Sequence, residues 1–148
     1  MSGVVHPAGG GERHAMGASE VVIKITGEDT GGAFFIAEVV LEAGFPGPPP
    51  HYHERLHETL YLLAGEVTMT LDGREEVLRP GGFASIPPGV VHTFRNDGAE
   101  PARALNVNAP AGWEHYLREL AGAMRAGAFP GTAEFARLVA KYDFVVPA

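Results

Sequence analysis

The stretch His51-Tyr52-His53-Glu54-Arg55-Leu56-His57-Glu58 places three imidazoles and two carboxylates in eight residues, and His92 follows behind a Pro-Pro-Gly turn at 87–89. Imidazoles and carboxylates at short range are ligands for a divalent cation. The spacing admits two geometries. From His53 the residues spell H-E-x-x-H, which on a helix sets two histidines on zinc beside a glutamate base. From His51 they spell H-x-H followed by glutamate. On an extended strand His51 and His53 point to one face, about 6.6 Å apart along the chain, so both rings can converge on one ion.

The helical geometry lacks its remaining ligand. A glycine-turn histidine downstream requires glycine at position 60, which is Leu60. A glutamate from a second helix requires a helix between 66 and 112, where the pattern reads as strand and turn. The strand geometry finds a partner in "GGFASIPPGVVHTFRN", where the turn fixes the start of the strand that carries His92. Prolines 48 to 50 stiffen the approach to His51.

The elements that must hold these residues are mostly strands. Glycine and proline clusters ("GFPGPPP", "LDGRE", "RPGG", "IPPG", "NDGAEP", "NAPAG") divide the chain into short β-rich segments: "EVVIKIT", "AFFIAEVVL", "EVTMTL", "EEVL", "FASI", "VHTFR" and "ARALNVN". Short strands at such spacing indicate an all-β sandwich or barrel, and Asp72-Gly73 is a two-residue hairpin signal. Towards the C-terminus the period changes. Trp113, Tyr116, Leu117, Leu120 and Met124 fall on one face of a helix, with His115, Arg118 and Glu119 opposite. A second helix is expected through "TAEFARLVAKY" with Thr132 as N-cap, giving a helical segment 113–142. The glycine-rich first dozen residues are expected to be mobile.

The 148 residues suffice for one domain, 1–148, with a real core. A net charge of −7 argues against a nucleic-acid partner. The absence of cysteine excludes thiolate ligands, disulfides and cysteine nucleophiles. The N-terminus lacks the apolar core of a signal peptide and no run approaches the ~20 apolar residues of a membrane span, so a cytoplasmic location without a membrane partner is expected.

"HYHERLHETLYLLAG" resembles the first cupin motif, with His51, His53, Glu58 and Gly65 in place. "GGFASIPPGVVHTFRN" resembles the second, with Gly81, Pro87, Gly89, His92 and Asn96 at the motif's spacing. Upstream, Gly44 lies six residues before His51 where the pattern has five. "GEDTGGAF" (27–34), "PAGWEHYLREL" (110–120) and "AKYDFVVP" (140–147) resemble the flanks of quercetinase-like single-domain cupins. The resemblance implies a cupin β-sandwich or jelly-roll barrel with C-terminal helices, and one divalent metal on His51, His53, His92 and a fourth ligand.

The fourth ligand decides the chemistry, and both permitted positions are filled, by His57 and Glu58. Strand alternation favours Glu58, on the face of Leu60 and Leu62. A turn over 54–57 would relax that alternation, and quercetinase-like relatives carry an acidic residue at position 57, which makes a histidine there noteworthy. The reading adopted takes His57 as ligand, with zinc as the metal and Glu58 free to orient a ligand or move protons; Glu58 as ligand is the alternative. Four imidazoles leave the full +2 charge on the ion and favour a Lewis acid such as zinc, whereas three with a carboxylate suit iron, manganese, nickel or copper. Glu38, which breaks the apolar run in "FFIAEVVL", is a second candidate acid or base, although burial statistics favour a strand-end surface position.

Apolar lining candidates are Phe34, Phe35, Ile36, Leu60, Leu62, Phe83, Ile86, Phe94 and Val107, and polar ones are Thr59, Tyr61, Asn106 and Asn108. Such an interior suits a small aromatic or poly-carbonyl substrate better than a sugar or phosphate. Three functions follow from the resemblance: a polyketide cyclase closing aromatic rings by aldol-type condensation and dehydration, a quercetinase-like dioxygenase, and a non-catalytic small-ligand binding protein. A homodimer is expected, with "EVVIKIT" adding to a neighbour's sheet edge.

Overall fold

Alternating apolar residues build two antiparallel sheets. The computed structural model describes residues 2–148. Strands β1 (Glu12–Met16), β2 (Ser19–Ile25), β3 (Phe35–Leu41), β4 (His57–Ala64), β7 (Phe83–Ile86) and β9 (Ala102–Ala109) form one sheet in the order β1-β2-β3-β9-β4-β7. β5 (Val67–Leu71), β6 (Arg74–Leu78) and β8 (His92–Arg95) form the other, in the order β6-β5-β8. A short helix α1 (Gly27–Thr30) follows β2, and helices α2 (Trp113–Arg125) and α3 (Ala133–Val139) close the chain. The sandwich and both C-terminal helices are those the sequence predicts, and Thr132 caps α3 by accepting a hydrogen bond from the Phe135 amide. No helix among the described residues is long and apolar enough to cross a membrane.

The interior has two parts. Between the sheets lie Leu41, Leu60, Leu62, Val67, Met69 and Ile86. Under the helices lie Val21, Ile23, Phe35, Tyr116, Leu117, Phe135, Leu138 and Phe144. The β5–β6 hairpin turns at Asp72-Gly73, both at positive φ (47° and 80°), the backbone that two-residue hairpins require.

A strand not expected from the sequence starts where the glycine-rich first dozen residues end: residues 12–16 pair with β2 from Glu12↔Ile23 to Met16↔Ser19. Arg118 on α2 donates two hydrogen bonds to Glu12, both at 2.7 Å. β2 is therefore paired on both sides and offers no edge to a neighbour; β1 is the outer strand.

Gly47 governs the loop that leads to the histidines. At φ 85° it lies so close to β8 that a Cβ would meet the Phe94 carbonyl oxygen at 2.0 Å. Gly73 has a similar φ of 80° with nothing near its missing Cβ. Gly73→Ala should lose roughly 1–3 kcal/mol from backbone strain alone. Gly47→Ala should lose more, because the chain must also move; urea unfolding of both variants measures the difference.

Candidate metal centre

The histidines are set by backbone pairing. His51 and His92 exchange amide-to-carbonyl hydrogen bonds at 3.0 and 2.8 Å, while Tyr52 pairs with Val145 and the His53 carbonyl accepts from the Gly89 amide. Residues 51–53 thus form a short extended segment between β8 and the C-terminal strand-like stretch, and His51 and His53 face one side. Glu58 sits second in β4, opposite Asn108 and Ile86. The candidate ligand atoms of His51, His53, Glu58 and His92 all lie within 4.8 Å of one another, and all four residues are buried.

Each ring is oriented through Nδ1. That nitrogen donates to the Pro49 carbonyl in His51 (2.8 Å), to the Asp143 carbonyl in His53 and to the Val90 carbonyl in His92 (2.9 Å). A carbonyl can only accept, so Nδ1 carries a proton in all three rings, and in the neutral ring Nε2 is left with its lone pair. Nε2 of His53 and of His92 lie 3.2 and 3.1 Å from Glu58 Oε2. Neutral imidazoles therefore direct acceptors at an acceptor. A divalent cation among them resolves the conflict, and imidazole with carboxylate is a suitable donor set.

Protonation of a ring at Nε2 also relieves the conflict, and the titration behaviour reflects that pairing. Burial pushes the Glu58 carboxyl up, but the contacts with His53 and His92 outweigh it and hold the group below the usual carboxylate range. Burial pulls His53 down, yet Glu58 and the Asp143 carbonyl leave it net raised. His51, pushed down by burial and by His92, falls to about 4.

His57 is not in this cluster, which corrects the reading that made it the fourth ligand. β4 begins at His57, so strict alternation already applies there and sends its side chain to the exposed outer face. There its Nε2 lies 2.8 Å from Ser85 Oγ. The turn that was to relax alternation ends one residue earlier. Glu58 takes the position, and with it goes the four-imidazole argument for zinc. Glu38 takes the favoured surface position and drops out as an acid or base candidate: it lies on the outer face of β3, where Arg103 donates to it at 3.2 Å. Among the lining candidates, Phe35, Leu60, Leu62 and Ile86 are buried inside, whereas Phe83 and Tyr61 pair on the exposed outer face.

Two supports behind the ligands were not legible as such. Asp143 uses its carbonyl for His53 and its carboxylate to accept the amides of Glu54, Arg55 and Leu56 at 2.6 to 2.9 Å. Burial raises that carboxyl, but the three amides win and lower it. No spacing rule links it to a histidine 90 residues away. The second support is a directional relay. Ionised Glu58 accepts through Oε1 from Asn106 Nδ2 (3.1 Å), so Asn106 Oδ1 must accept in turn, from Asn108 Nδ2 (2.8 Å). The relay ends at Asn108 Oδ1, a buried side-chain acceptor without a partner. With Oε1 engaged, Oε2 faces the histidines.

A cavity of about 330 Å³ adjoins the cluster. His51, Glu58 and Asn106 contribute to its lining, as do Leu60, Trp113, Tyr116, Phe135 and Phe144. Phe144 stacks on His51 at 4.0 Å between ring centres, and Trp113 and His53 meet in a T-shaped pair at 4.8 Å.

Comparison with known proteins agrees with this geometry. Residues 37–108 match the cupin domain family. Quercetin 2,3-dioxygenase of Bacillus subtilis is 37% identical over 90 residues, 60% of this chain and 26% of that protein. Germin-like protein 5-1 of Oryza sativa subsp. japonica is 40% identical over 114 residues, 69% of this chain and 49% of that protein. The polyketide cyclase RemF from Streptomyces resistomycificus superposes with a TM-score of 0.62 at 25% identity, covering 74% of this chain and 80% of that one. The chain is a cupin. Its two sheets are the cupin jelly-roll, and it spans about a quarter of the quercetin dioxygenase and about half of the germin-like protein. Enzymes occur among its neighbours, and its buried three-histidine, one-glutamate cluster suits a divalent metal.

Two variants probe the supports. Asn106→Leu should lower metal affinity about 10- to 100-fold by releasing Glu58 Oε1; competition with a chromophoric chelator reads this, and unchanged affinity would show that the relay does not hold the carboxylate. Asp143→Asn should destabilise the cupin by about 1–3 kcal/mol at pH 7. Because the folded carboxyl is depressed, its contribution is present above the unfolded value of about 4 and is lost as pH falls through the folded value. The stability gap between wild type and Asp143→Asn in urea should therefore close below about pH 4.

Proposed function

We propose that this cupin is a metal-dependent enzyme acting on a flat, oxygenated aromatic substrate, and that its reaction is oxygen-dependent cleavage of an enol or flavonol ring. The observation that carries this reading is that Glu58, rather than His57, completes the cluster, at the edge of a cavity walled by aromatic and aliphatic side chains. One carboxylate with three imidazoles suits iron, manganese, nickel or copper, metals that bind dioxygen and a substrate oxygen together. The likeness to a quercetin dioxygenase supports the reading.

The roles of the chain's own residues follow from the geometry. His51, His53, His92 and Glu58 would hold the metal. Asn106, backed by Asn108, keeps the Glu58 carboxylate aimed. The Trp113 and Phe144 rings cover the outer sides of His53 and His51 and exclude water from them. The apolar walls accept flat rings and offer no cation for a phosphate.

A second reading has its own support. RemF is matched over most of its length, and closure of an aromatic ring in a poly-carbonyl chain by aldol-type condensation and dehydration would use the same apolar cavity. Oxygen separates the two. Metal-loaded protein should consume dioxygen with quercetin and fall silent anaerobically. Anaerobic turnover of a poly-carbonyl chain with a redox-inert metal would replace ring cleavage by cyclisation. No turnover of either above the free-metal background would leave a binding protein. A homodimer belongs to the proposal, with β1 rather than β2 as the available edge, and light scattering reads the mass.

A further inference from the structure

Tyr116 is 4% exposed and lines the cavity, yet its hydroxyl makes no hydrogen bond to any described residue. The neighbouring Tyr142 shows the ordinary state of such a group, donating to Glu119 at 2.5 Å. Asn108 Oδ1 is the one fully enclosed side-chain atom without a partner among the described residues, so the unpaired Tyr116 hydroxyl keeps accessible surface and can meet a ligand in the cavity that it lines. The Tyr116 ring is fixed by Trp113 at 4.2 Å, Tyr142 at 5.5 Å and Phe144 at 5.9 Å between ring centres, so the hydroxyl is not free to swing out.

The Glu58 carboxylate, the acceptor at the metal end of the cavity, is already engaged. Glu58 Oε1 is held by Asn106 and Oε2 faces His53 and His92. Leu60, Leu117, Phe135 and Phe144 on the walls have nothing to accept with. Burial, and secondarily the Glu58 charge, raise the phenol above its usual range and keep it a donor.

We infer that Tyr116 is a specificity-determining residue whose Oη–H donates to a carbonyl or phenolate oxygen of a flat aromatic ligand in this cavity, at a point apart from the His-Glu centre. The inference rests on the proposed substrate class and adds a requirement to it: the ligand carries a second oxygen for Tyr116 besides the one that faces the metal centre. An aromatic of the same shape without that oxygen leaves the phenol unpaired and is rejected.

The test uses the full chain with its metal content recorded, and two flat three-ring probes, 9,10-anthraquinone and anthracene, which differ in two opposed carbonyls. Trp113, the chain's one tryptophan, lines the cavity and reports occupancy by quenching. Wild type should prefer the quinone to the hydrocarbon, and Tyr116→Phe should reduce that preference about tenfold or more. Anthracene should bind the variant as tightly as wild type or tighter, which also shows that the cavity is intact. An unchanged preference in Tyr116→Phe would overturn the inference, and so would failure of both probes to quench wild type. Because no turnover is read, loss of the proposed reaction and loss of the Tyr116 role are separate results.

Discussion

Three hydrogen bonds from imidazole Nδ1 to backbone carbonyls set up everything else at the centre of this cupin. The carbonyls belong to Pro49, Val90 and Asp143, in three different connecting segments. Each fixes a tautomer and a ring plane, and together they leave three lone pairs and a carboxylate in one buried place. Buried acceptors that face one another are costly, and a cation is the economical solution. The stiff proline run at 48–50, the Pro-Pro-Gly turn and the anchored C-terminus follow as requirements for holding those carbonyls still.

The same logic extends outwards. Asp143 joins the C-terminus to the turn at 54–56, so the end of the turn, and hence the first regular residue of β4, is set from outside that strand. With β4 regular from its first residue, Glu58 points inward and His57 outward. Asn106 then occupies the Oε1 side of Glu58, and the helices bring Trp113, Tyr116 and Phe135 over the open side of the sandwich. A charged cluster with an apolar wall around it strengthens electrostatic interactions there relative to water.

The sandwich, the hairpin at Asp72-Gly73 and both C-terminal helices were legible because period and punctuation are local signals. His51, His53 and His92 were legible because two short motifs carry them. The choice between His57 and Glu58 was not, since it depends on which residue starts β4, and that is decided by Asp143, far along the chain. β1 escaped notice because "ERHAM" carries few apolar residues and its place comes from pairing with β2 and from Arg118. Glu38 interrupts an apolar run because β3 exposes every second residue on its outer face. The Asn106–Asn108 relay was visible only as two polar residues in a strand; its direction comes from the charge on Glu58.

Metal content per chain, measured by mass spectrometry on wild type, His57→Ala and Glu58→Ala purified side by side without chelators, tests the centre most directly. Near-stoichiometric metal in wild type and His57→Ala, with a clear loss in Glu58→Ala, is the predicted result. Metal retained in Glu58→Ala and lost from His57→Ala would contradict the ligand set described above.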